Sequence, residues 1–189
     1  MKTRIGVMGS ADDALPAGVS RTLREKAEQL GRAIADKDAV LLTGATTGLV
    51  HLVAKSAQEA GALHIGISPA CNDREHIEEY DLPTESCDAI IYTGFGLKGR
   101  NVVLVRSCDI VLVIAGSMGA LNEFTIAYDE GKIIGCLTKT GGVADEAARI
   151  VETFKKQTKS KIFYDDDPAS LLHACLGTLK EFQKREAKE

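Results

Sequence analysis

The sequence predicts an α/β protein built as a doubly wound, mostly parallel sheet of about seven strands with helices on both faces. Three observations carry this. Short apolar runs rich in β-branched residues alternate with segments of helical periodicity, and most runs empty into a turn bearing glycine or serine. The run at 110–114, IVLVI, is apolar at every position, as a strand buried on both faces of a parallel sheet must be. With 189 residues and 44% hydrophobic content the chain can bury one sizeable core, so one domain over 1–189 is expected.

Each element has its own signal. Residues 4–8 (RIGVM) read as a strand ending at Gly9 and Ser10. Residues 18–35 are amphipathic, with Leu23, Ala27, Leu30 and Ile34 at helical spacing. Residues 39–43 (AVLLT) form a second strand, ended by Gly44. The helix at 48–60 carries Leu49, Leu52, Val53 and Ala57 on one side and meets Gly61 as its C-cap. Residues 64–68 (HIGIS) are a third strand closed by Pro69. The polar, aperiodic segment 71–86 reads as a long excursion, of the kind that is functional or mobile.

The second half repeats the rhythm: a strand at 89–93, a helix at 99–107, a strand at 109–115 and a helix at 121–130 capped by Gly131. A strand at 132–137, a helix at 144–156 and a short strand at 160–164 follow. The last helix spans 168–184, with Asp167 as N-cap and Pro168 at its first position.

Composition limits the function classes. The net charge is −4 and the basic residues are dispersed, so no nucleic-acid partner is expected. The five cysteines are odd in number and lack any CxxC or HxxxH partner, which supports neither a metal site nor a disulfide framework. Cys108 and Cys136, in or beside apolar strands, read as small buried hydrophobes. With no secretory h-region and no apolar stretch of 18 residues, a soluble cytoplasmic protein with no membrane partner is expected.

Ligands of such sheets sit at the carboxyl ends of the strands, near the point where strand order reverses. Three loops have suitable chemistry there. Gly9 and Ser10 follow the first strand; Gly44, Thr46, Thr47 and Gly48 lie in GATTGLV at a helix start; Gly116, Ser117, Met118, Gly119 and Ala120 lie in AGSMGALNE, ahead of Glu123. Glycine lets backbone approach a ligand, and the unpaired N–H groups of a helix start favour phosphate. Neither GxGxxG nor GxxxxGK[ST] occurs, and Gly44 stands where a dinucleotide site places an acid, so an NAD site and a P-loop are unsupported.

Other polar groups have simpler readings. His51, His64, His76 and His173 lack spaced partners and read as packed or solvated side chains, and Asp165 to Asp167 as a polar turn. Gly94, Gly96 and Gly99 precede Arg100 either as a flexible turn or as a loop that brings Lys98 to a ligand.

Together Gly9-Ser10, GATTGLVHLVAKSAQEAG, the Arg100 helix and AGSMGALNE resemble the Rossmann-like superfamily of the Lonely Guy cytokinin-activating phosphoribohydrolases, also called lysine-decarboxylase-like. The resemblance covers residues 4 to about 137. Arg100 lies nine residues before Asp109 and Glu123 fourteen after it, both in the family register. Where that pattern reads Pro-Gly-Gly-x-Gly-Thr, this chain has Ala115, Gly116, Ser117, Met118, Gly119 and Ala120, and Asn101 replaces the lysine common after the arginine. In these departures it looks more like the molybdenum-cofactor carrier branch.

The resemblance implies two readings. In one, a homo-oligomer, dimer or tetramer, holds a phosphate-bearing ligand, a nucleotide or a molybdopterin-type cofactor. In the other, a nucleoside 5'-monophosphate is hydrolysed to free base and ribose 5-phosphate, with Arg100 and Glu123 as catalytic residues. An ion pair tying two helices together is the structural alternative for Arg100 and Glu123. The apolar succession Val102, Val103, Leu104 and Val105 gives soft support for assembly.

Overall fold

The structure is a computed structural model that describes residues 1–11 and 20–186. Seven strands form one sheet: β1 (Thr3–Gly9), β2 (Ala39–Thr43), β3 (Leu63–Ser68), β4 (Ala89–Tyr92), β5 (Ile110–Ile114), β6 (Ile133–Leu137) and β7 (Lys161–Asp165). Their order is β4-β3-β2-β1-β5-β6-β7, and every neighbouring pair is parallel. The helices are α1 (Arg21–Ala35), α2 (Gly48–Glu59), α3 (Gly96–Ser107), α4 (Met118–Asp129), α5 (Gly142–Phe154) and α6 (Pro168–Glu186). This is the expected doubly wound α/β fold.

Side-chain alternation along the strands divides the core. Ile5, Val7, Leu41, Ile110, Leu112 and Ile114 face one side, where they meet Leu30 and Ile34 of α1, Leu49 and Val53 of α2, and Leu171 and Leu172 of α6. Met8, Leu42, Val111, Val113 and Ile134 face the other, against Leu104 of α3, Phe124 and Ala127 of α4, and Ala144 and Ala147 of α5. All five residues of β5 are buried, as their unbroken apolar run requires. Cys108 and Cys136 are free thiols buried in this second layer.

Three helices begin earlier than their apolar periodicity indicates, at Gly96, Met118 and Gly142. Glycine is tolerated in a first turn because the N–H groups there have no intrahelical partner to lose. The start of α1 is set by Ser20, whose hydroxyl accepts from the Leu23 N–H; the start expected at Gly18 lies outside the described residues. Asp167 caps α6 as expected, its Oδ1 accepting from the Ser170 N–H at 2.7 Å.

The 71–86 excursion is pinned by histidines. It contains a π-helical turn, Glu75–Glu79, from which a buried His76 reaches Ser68 Oγ at 2.9 Å and the Pro83 carbonyl at 3.1 Å. His64, buried on β3, meets the Ser86 carbonyl. Strand order reverses between β1 and β5, whose adjacent carboxyl ends open the crevice in which this architecture binds ligands.

Candidate functional site

The end of β1 joins the loops of β2 and β5. Gly9 is demanded by packing, since a Cβ there would lie 2.3 Å from the Ile114 carbonyl oxygen. Ser10 is buried; its hydroxyl accepts from the Gly116 N–H at 2.9 Å and its carbonyl from the Leu49 N–H at 3.0 Å. Gly48, at φ +72°, sits against that carbonyl, where a Cβ would come within 2.4 Å. Ser10, Gly48 and Gly116 thus tie the three loops together, and Thr47 occupies the N-cap position of α2.

The loop after β5 turns its carbonyls toward the start of α5. Ala115 and Gly116 both take positive φ, 51° and 102°. Their carbonyls accept from Ala144 N–H and Val143 N–H, each at 2.9 Å, at the start of α5, while Thr140 Oγ1 accepts from the Ala115 N–H. The left-handed backbone at Ala115 costs roughly 1 kcal/mol, offset by these three bonds. Ser117 takes the N-cap position of α4 in extended conformation, and its side chain makes no capping bond. The first N–H groups of α4 are therefore left without a side-chain cap, in the arrangement that attracts anions.

A cavity of about 300 Å³ opens over these loops. Of the residues singled out in the sequence, Gly9, Gly44, Thr46, Arg100, Ser117, Met118, Gly119, Ala120 and Glu123 line it; Ser10, Thr47, Gly48 and Gly116 do not. Lys98, Asn101 and Leu97 join from α3. Leu97 had no sequence signal, because an apolar residue at a helix start reads as core; it is half exposed, and Met118 is more exposed still. A Cβ on Gly119 would meet nothing within 4 Å.

Arg100 and Glu123 share this cavity, both nearly fully buried. Arg100 Nη1 donates to the Ile67 carbonyl at 3.3 Å, and Nε has no partner among the described residues. The guanidinium lies against Gly44, where a Cβ would fall 1.5 Å from Nη1. Burial lowers the Arg100 pKa, opposed by the Glu123 charge. Burial pushes the Glu123 carboxyl up to about 7, against the pull of Arg100 and Lys98. Among the described residues the two groups form no direct ion pair; each acts on the other through space. With its amide turned so that donors meet acceptors, Asn101 donates to the Leu97 carbonyl at 3.0 Å and to Glu123 Oε1 at 3.1 Å.

The arrangement combines a buried cation with an unused donor, an uncapped helix start, and a carboxyl poised to exchange a proton near neutrality. It can hold an anion, and it offers a proton donor and acceptor beside it. Among the described residues no helix is long and apolar enough to cross a membrane.

An uncharacterized protein of Archaeoglobus fulgidus is 33% identical over 127 residues, 67% of this chain and 77% of that protein. Among solved structures, the molybdenum cofactor carrier protein of Chlamydomonas reinhardtii matches with a TM-score of 0.70 at 23% identity, covering 96% of this chain and 99% of that one. The molybdenum cofactor binding protein of Rippkaea orientalis matches with a TM-score of 0.68 at 26% identity, covering 96% and 98%. The SLOG cluster4 family matches residues 2–172, which takes in every strand, the Arg100 helix and the loop leading to Glu123. By that match the chain belongs to the SLOG cluster4 family.

Proposed function

We propose that this protein binds a small phosphate-bearing ligand, a nucleotide or a molybdopterin-type cofactor, at the carboxyl edge of its sheet and serves as a carrier or store. The observation that carries this is Arg100: a buried guanidinium with an unpartnered Nε, in the cavity that also receives the uncapped start of α4. An unsatisfied buried charge of this kind is costly unless a ligand completes it. Lys98 adds positive charge, and the exposed rims of Leu97 and Met118 suit a flat heteroaromatic ring. The names of the Chlamydomonas and Rippkaea structures support the cofactor form of the ligand.

A second reading, hydrolysis of nucleoside 5'-monophosphates, is favoured by Glu123, whose carboxyl at about 7 could supply or take a proton near neutrality. Against it stand Ser117 and Ala120, which add a side chain and remove a hydroxyl where the hydrolase pattern has glycine and threonine. We favour binding without turnover, in the cytoplasm, with no nucleic-acid partner.

Mass spectrometry of the small molecule released on denaturing the purified protein tests the first reading: a nucleotide or pterin bearing phosphate is expected. Incubation with AMP separates the two. Release of free base that Glu123→Ala abolishes would establish the hydrolase and overturn the carrier.

Assembly into a dimer or tetramer is proposed as well. Leu104 and Val105 of α3 are core, while Val102 and Val103 are half buried. Beside them an apolar groove of about 500 Å³ runs over Val40, Leu42, Ile65, Ile67 and the half-exposed Ile91.

A further inference from the structure

Two buried histidines have no place in the binding described above, yet both belong to the support of one residue. His64 Nδ1 faces the Ser86 carbonyl, which only accepts, so Nδ1 carries the proton and Nε2 accepts from the Thr43 hydroxyl at 2.8 Å. The Thr43 oxygen then accepts the Ala45 N–H at 3.1 Å. Burial lowers the His64 pKa, in keeping with a neutral ring.

His76 repeats the device with the opposite tautomer. Its Nε2 faces the Pro83 carbonyl at 3.1 Å, so Nε2 carries the proton and Nδ1 accepts from the Ser68 hydroxyl at 2.9 Å. Ser68 Oγ accepts the Ala70 N–H at 3.1 Å. In each relay a carbonyl from the 77–88 stretch holds an imidazole, which holds a hydroxyl at a strand end, which holds an N–H two residues on.

The two strand ends meet at Arg100. The turn after β2 sets Gly44 under the guanidinium and keeps Ala45 at φ 47°. The end of β3 supplies the Ile67 carbonyl that receives Nη1. That is the side chain's one hydrogen bond among the described residues, so its position depends on the walls around it.

We propose that His64 and His76 are positioning residues for Arg100, fixing the ends of β2 and β3 so that the guanidinium keeps its place in the cavity. Pro83 and Ser86 anchor the far ends of the relays, so the seat of Arg100 depends on the order of the excursion between β3 and β4. The effect on binding rests on the reading of Arg100 as a ligand-holding group; the positioning itself does not.

The test follows the Arg100 Nε–H resonance in ¹⁵N-labelled protein, assigned by its loss in Arg100→Lys, alongside binding of AMP. Thr43→Val removes the hydroxyl at nearly constant shape, and Thr43→Ser restores it. The valine variant should move the Arg100 resonance and weaken AMP binding about tenfold, the loss of a hydrogen-bonded support for a charged group. The serine variant should return both toward the wild type, and Ser68→Ala should act as Thr43→Val does. His173→Ala, at an exposed position on α6, should change neither.

An Arg100 resonance unmoved by Thr43→Val and Ser68→Ala overturns the proposal. If both variants fail to fold, the ring nitrogens of the wild type decide: Nδ1–H on His64 and Nε2–H on His76 support the relays, and either opposite tautomer sinks them. A resonance that moves in a protein that binds no AMP sustains the positioning and removes this support from the ligand reading.

Discussion

Gly44 and Arg100 occupy a shared space: a Cβ on Gly44 would lie 1.5 Å from Arg100 Nη1 and 2.5 Å from its central carbon. The backbone of Gly44 is not left-handed, so the constraint is steric contact with the guanidinium. Gly44→Ala should expel Arg100 from its seat, abolish detectable AMP binding by calorimetry, and cost about 1–3 kcal/mol in overpacking. Adding Arg100→Ala should recover stability in urea melts without recovering binding. Additive losses of stability in the double variant would show that the two sites do not interact.

Gly116 and Gly119 should answer substitution in opposite ways. Gly116 has φ +102°, and its added Cβ would stand 2.5 Å from that of Ala120; Gly116→Ala should cost about 2 kcal/mol or more. An added Cβ at Gly119 meets nothing, so Gly119→Ala should hold or raise stability by up to ~1 kcal/mol as helix propensity improves. The same methyl would enter the space beside the first N–H groups of α4 and weaken AMP binding. Thermal melts and calorimetry on the two variants check both halves.

Glu123 makes stability depend on pH in the direction opposite to a salt-bridged acid. Its carboxyl rises from an ordinary 4.5 to about 7 in the folded chain. Between those values the folded state binds more protons than the unfolded one, so stability falls as pH rises, and above 7 the burden is complete. Glu123→Gln, which keeps the shape and sheds the charge, should therefore gain on the wild type as pH rises. The advantage in urea melts should widen by about 2 kcal/mol between pH 5 and pH 8. An unchanged difference would mean that Glu123 titrates normally.

The proposed self-association would bury the apolar groove over β2, β3 and β4. Ile91, half exposed on the edge strand β4, gives a place to break it. In sedimentation at micromolar concentration the wild type should run as an oligomer and Ile91→Lys as a smaller species with an unchanged melting temperature. A wild type that sediments as a monomer would refute assembly.

Much of this architecture was legible in local sequence. The apolar IVLVI run marked β5 as buried on both faces, and AVLLT closed by Gly44 marked β2 to the residue. Asp167 and Pro168 announced the start of α6. The starts of α3, α4 and α5 were less legible because glycine, a poor helix former, is harmless where a helix has no bond to lose. The register of Arg100 and Glu123 pointed to one ligand edge, and both line one cavity.

The reasons behind several residues were not legible. Gly44 reads as a ligand-approach glycine; it lines the cavity and is also the floor under Arg100, a role with no trace in the sequence. Ser10 reads as a phosphate contact; its hydroxyl also accepts a bond from the Gly116 N–H, a tie between two loops that the sequence does not show. His64 and His76, without spaced partners in sequence, each find a hydroxyl and a carbonyl in space.

By itself the sequence determined which segments are strands and which are helices, because burial on one face or two is written in the spacing of apolar residues along a few turns. Only the tertiary structure decided that β1 lies beside β5, that Ser10 locks the loops there, and that the ends of β2 and β3 carry Arg100. Contacts between residues far apart in the chain leave no periodic trace; they exist only once the sheet has set its strand order.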